Sequence, residues 1–68
     1  MDEALLNEID GARQNGAVFI LKWDGERSER VYTVILSHHE KQFSFRADTD
    51  DMTAAAREAL QAFHQAMN

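Results

Sequence analysis

The sequence predicts an α+β domain of order α-β-β-β-α: a three-stranded antiparallel meander with two helices packed on one face. Apolar residues recur at helical spacing at both ends of the chain, which argues for a helix at each. Two runs rich in β-branched and aromatic residues lie between them, separated by a charged stretch of hairpin size. A third central segment alternates strictly between polar and apolar residues, the signature of a half-buried strand.

The first helix is predicted from Asp2 to about Asn15, where Leu5, Leu6, Ile9 and Ala12 recur and Asp2 and Glu3 suit the first turn. Gly11 weakens its middle, and Asn15-Gly16 is the stronger stop signal. Val18 to Trp23 reads as the first strand, ending at the turn-forming Asp24-Gly25. Arg30 to Leu36 reads as the second, with Gly25 to Glu29 as the hairpin connection. His38-His39-Glu40-Lys41 then forms a surface turn into a third strand, Gln42 to Ala47. Asp48-Thr49-Asp50-Asp51 supplies capping oxygens for a second helix from Met52 to Met67, with Met52, Ala56, Ala59, Leu60, Phe63 and Met67 as its apolar stripe.

Composition narrows the function classes. The 68 residues carry 12 acidic and 7 basic side chains, a net charge of -5, 44% apolar residues, and neither cysteine nor proline. Residues 1-68 therefore make one small domain, too short for a doubly wound nucleotide-binding fold. A core this small seldom contributes more than roughly 3 to 5 kcal/mol, and with no disulfide or zinc cluster available, self-association is the remaining common route to extra stability. No segment is long and apolar enough for a membrane span, and the acidic N-terminus is unlike a secretory signal, so the expected location is the cytoplasm and Met1 suggests a complete gene product. Net negative charge repels phosphate backbones and anionic lipid, which argues against nucleic-acid and membrane partners.

Strand parity gives the main functional expectation. If Phe43, Phe45 and Ala47 face the helices, then Phe19, Leu21, Trp23, Tyr32, Val34 and Leu36 do as well. Val18, Ile20, Val31 and Ile35 are then left on the outer face around Thr33, with no helix to cover them. Val18, Ile20, Val31, Thr33 and Ile35 are accordingly the expected partner-binding residues. Burying about 300 Å² on each of two copies would be worth on the order of 15 kcal/mol before association costs of several kcal/mol. Two other readings stand beside a face-to-face dimer. Scattered aliphatics on a solvated sheet need no partner. Pairing could also run through the edge of the first or third strand, partly blunted by Lys22 and Arg46, and ranks below the face.

No catalytic constellation emerges, and no cofactor or metal is expected. His38, His39 and Glu40 are the only compact set of potential ligands, and neighbouring histidines on a turn point apart. His64 falls at the core boundary beside Phe63. Ser28 and Ser44 have no histidine at triad spacing, and the three glycines are too dispersed to cradle a phosphate.

The element order, together with Leu6-Asn7-Glu8 on the first helix and Ala54-Ala55-Ala56-Arg57-Glu58-Ala59-Leu60 on the second, resembles the double-stranded RNA-binding domain over nearly the whole chain. That family contacts phosphates through lysines at the start of its second helix and enters the minor groove with a histidine-bearing loop between its first two strands. Here Asp50-Asp51 occupy the first position, and the loop Asp24-Gly25-Glu26-Arg27-Ser28 lacks histidine. The resemblance thus implies the fold, while these departures argue against its RNA-binding function. The sequence leads to a non-enzymatic cytoplasmic protein acting by association, a homodimer or an adaptor with one protein partner. The alternatives are an RNA-binding-like module and a small enzyme or metal-dependent protein using His38, His39 and Glu40.

Overall fold

The computed structural model describes residues 1–68 and has the predicted order: α1 (Glu3–Gln14), β1 (Val18–Trp23), β2 (Tyr32–His38), β3 (Phe43–Thr49) and α2 (Met52–Met67). The strands form one antiparallel sheet in the order β1-β2-β3, so both β1 and β3 are edges. Both helices start on the caps the sequence offers. The Asp2 carboxylate accepts from the Leu5 N–H at 2.9 Å, and the Asp51 carboxylate accepts from the Ala54 N–H at 3.0 Å.

The core is one layer between helices and sheet. Val34 and Leu36 at the centre of β2 are fully buried against Ala56, Ala59, Leu60 and Phe63 of α2 and Leu5 of α1. Alanines on α2 let its backbone approach the sheet, and Phe63 fills the space at the far end, its ring edge-on to Phe43 at 5.8 Å. The Cα envelope is only 15 Å thick, which leaves no third layer over the other face of the sheet.

Strand parity holds throughout. Phe19 pairs with Leu36 and Leu36 with Phe45, Leu21 with Val34 and Val34 with Ala47, and Ile20 with Ile35 and Ile35 with Arg46. Four local expectations are corrected. β2 starts at Tyr32 rather than Arg30, because Arg30 takes a left-handed conformation (φ 50°) and keeps the preceding residues in the loop. β3 runs on to Thr49, because Asp48 and Thr49 pair with Thr33 and Tyr32 instead of serving as free capping groups.

Leu6 does not join the α1 stripe and is 53% exposed. Neighbouring helical residues stand about 100° apart, so only one of Leu5 and Leu6 can face inward with Ile9 and Ala12. Trp23 shares the parity of the inner face yet is 71% exposed, because α1 crosses β1 near Ala17 to Phe19 and leaves the far end of the strand bare.

Candidate interaction surface

The large apolar side chains that remain exposed are Leu6, Val18, Ile20 and Trp23. Two of them, Val18 and Ile20, lie on the outer face of β1 at 55% and 47% exposure. Trp23 lies on the other side of the same strand, and Leu6 stands on the helix flanking it. Leu6, Ile9, Ala17 and Phe19 line an apolar cleft of about 450 Å³ between α1 and the edge of β1. The cleft's rim carries Asp10 and Arg13, joined at 2.7 Å. That pairing holds the Asp10 carboxyl below its ordinary range and raises Arg13, so the two charges answer each other there.

The edge of β1 also offers main-chain hydrogen bonds. The Asp24 N–H donates to the Val31 carbonyl at 2.8 Å, one position beyond the Trp23–Tyr32 pair that ends the β1–β2 register, so position 24 falls on the side of the ladder that bonds to β2. Even-numbered residues of β1 therefore direct their N–H and C=O groups at β2. Phe19, Leu21 and Trp23 direct theirs outward, from the unpaired edge.

The expected partner-binding residues do not share one environment. Val18 and Ile20 are exposed, and Ile35 and Val31 are half-buried. Thr33 is 3% exposed and cannot present its side chain to a partner. The cover is Arg27, which arches back from the β1–β2 loop. Its guanidinium donates to Thr33 Oγ1 at 3.1 Å and to the Arg30 carbonyl at 3.0 Å, and it lies 3.4 Å from the Asp48 carboxylate.

Thr33 in turn donates its hydroxyl proton to Asp48 at 2.6 Å. This hydrogen bond is the main reason the Asp48 carboxyl is held below its ordinary range, with Arg27 and Arg46 adding to it. Asp24 is lowered chiefly by the Glu26 N–H and then by Arg27. The Thr33 end of the outer face is thus a closed polar network, and its apolar part is confined to Val18, Ile20 and Ile35.

His38 is the second correction at this level. It is the last residue of β2, 6% exposed, and not part of a surface turn. Its Nδ1 accepts from the Lys41 N–H at 3.2 Å, which leaves the proton on Nε2 to donate to the Asn15 carbonyl at 2.7 Å. The ring packs against Phe63, with centroids 6.0 Å apart. Both nitrogens are engaged in joining the end of α1 to the β2–β3 turn, so neither is free to act as a base or ligand. His39 and Glu40 remain exposed on the turn, and His64 is exposed on α2 rather than at the core boundary. No group of three or more His, Asp or Glu side chains converges in a way that could hold a metal ion.

No helix is long and apolar enough to cross a membrane. No family model, curated protein or solved structure matches the chain.

Proposed function

We propose that this chain is a non-enzymatic cytoplasmic protein that works by association, forming a homodimer along the apolar surface of β1 and the adjoining open sheet face. One observation carries the reading: every large apolar side chain left exposed, Leu6, Val18, Ile20 and Trp23, lies on or beside one edge strand, β1. A concentration of that kind on so small a domain marks an interaction surface better than four scattered positions would. The single-layer core supports the same reading, since a second copy would supply the burial that a chain this short lacks.

Sedimentation velocity over a concentration series tests the proposal, with a dimer expected by about 100 µM. Each copy carries a net charge of -5, so added salt screens their repulsion and is expected to strengthen the dimer. Duplex RNA binding, the alternative that the topology favours, would weaken with salt instead. Asp50 and Asp51 stand exposed at the start of α2, where phosphate contact would need cations, which weighs against RNA binding.

A further inference from the structure

Resting on that reading, we infer that the second copy adds to the edge of β1: two β1 strands pair antiparallel about a two-fold axis, and Trp23 of each copy enters the Leu6–Ile9–Phe19 cleft of the other. The occupant is a second copy of this chain because the surface is complementary to itself. The outward-facing backbone groups belong to Phe19, Leu21 and Trp23, so an antiparallel self-pairing must match odd residues with odd ones.

The register centred on Leu21 brings together the largest apolar set. Leu21 meets its own copy, and Phe19 lies opposite Trp23 of the partner on both sides of the axis. Each of these three pairs exchanges two main-chain hydrogen bonds. Side chains directly opposite across an antiparallel pair have Cβ atoms about 5 Å apart, so a tryptophan facing Phe19 arrives at the cleft that Phe19 helps to line. A protruding indole and an open apolar cleft thus stand on the same strand, two register positions either side of its centre. The two-fold places each against the other.

On the outer side the same register sets Ile20 beside the stem of the opposing Lys22 and Val18 beside the opposing Asp24. Both charged groups keep their ends in water. Two buried tryptophans contribute roughly 300–500 Å². Phe19, Leu21 and Leu6 of both copies bring the total toward about 1,000 Å², the lower bound for a specific interface, so the dimer is expected to be of micromolar rather than nanomolar affinity.

Trp23 is the only tryptophan, so its emission reads this contact alone. On raising the concentration through the dimerisation range, the emission maximum is expected to move to the blue. The amides of Phe19, Leu21 and Trp23 are expected to gain protection from hydrogen exchange in step with it. Trp23→Ala removes an exposed side chain and leaves the fold intact by circular dichroism, and is expected to weaken the dimer at least about tenfold in sedimentation. Ile35→Lys, on the sheet face away from this edge, is expected to leave dimerisation within about threefold of the starting protein.

A dimer that ignores Trp23→Ala, is lost with Ile35→Lys and leaves the three amides unprotected would be a face-to-face dimer. It would overturn this inference while keeping self-association. A wild-type protein still monomeric at about 500 µM would overturn both.

Discussion

The two edges of the sheet are built on opposite principles. β3 turns Ser44, Arg46 and Asp48 to the outside, and the side chains it turns inward, Phe43, Phe45 and Ala47, lie with α2 over the core. Arg46 and Asp48 lie 3.7 Å apart along that edge, and charge on an edge strand discourages another strand from joining. β1 has one charged side chain, Lys22, and apolar side chains on both sides of the strand. Its inner residues Phe19 and Leu21 are half-buried, as Phe43, Phe45 and Ala47 are, but their helix is α1, which reaches no further than the beginning of the strand, whereas α2 packs on both β2 and β3. Stability is thus concentrated on the β2–β3–α2 side, and the capacity for association is concentrated on the β1 side.

The sharpest way to break this comparison is to measure stability on each side. Phe63→Ala removes a fully buried ring that touches both His38 and Phe43, and is expected to cost about 3–5 kcal/mol in urea unfolding. Leu21→Ala on β1 is expected to cost roughly 1–2 kcal/mol, measured at a concentration low enough to keep the protein monomeric. Equal losses would show that β1 is as firmly held as β3.

His38→Ala ranks next, with an expected loss of about 1–3 kcal/mol, because it leaves the Asn15 carbonyl and the Lys41 N–H without their partner. The same measurement checks it, and hydrogen exchange at Lys41 locates the damage.

A smaller effect should appear in acid. The Thr33 hydroxyl holds Asp48 below its ordinary value of 3.8 in the folded state. A carboxyl lowered by folding stabilises the protein above its unfolded value, and the contribution is lost as the pH falls through the folded one. Thr33→Val is therefore expected to reduce the difference in stability between pH 7 and pH 2 or so, as read by unfolding at the two pH values. An unchanged acid response would mean that Arg27 and Arg46 alone hold Asp48.

The smallest expected change in stability, and the most direct test of edge protection, is Arg46→Ile. This side chain is exposed and its loss should scarcely move the unfolding midpoint. Making the second edge apolar is nonetheless expected to produce species larger than a dimer in sedimentation. A species distribution that stays the same would remove charge as the reason β3 remains alone.

Much of the fold was legible because its signals are local. The alternation of Gln42 to Ala47 fixed the parity of the whole sheet, and the bounds of β1 and α2 fall at the predicted residues. Parity states which way a side chain points but not whether anything covers it. That is why Trp23 and Tyr32 share an inner face with Leu36, and yet Trp23 stands in solvent.

Thr33 shows the converse: an outward residue buried by an arginine whose path over the sheet depends on the shape of a loop. The role of His38 was hidden because its partner, Asn15, is 23 residues away in the chain. The cleft beside β1 was equally out of view, since it depends on where α1 crosses the strand rather than on any motif in either element. The exposure of Leu6 is legible from helix geometry, since Leu5, Ile9 and Ala12 already define the stripe and Leu6 stands about 100° from Leu5.

Gly16 lies in the short link between α1 and β1. Its φ of +92° suits glycine alone, and a Cβ there would sit 3.2 Å from His38 Nε2, the atom that holds Asn15. Two requirements, one of torsion and one of space, therefore coincide at a single position in the short link between α1 and β1. Together they act as a gauge, setting where the helix leaves off and the strand begins. The mouth of the hollow beside β1 is consequently dimensioned from the residue just ahead of its lining, and a bulkier side chain at 16 should alter its width without replacing any residue that lines it.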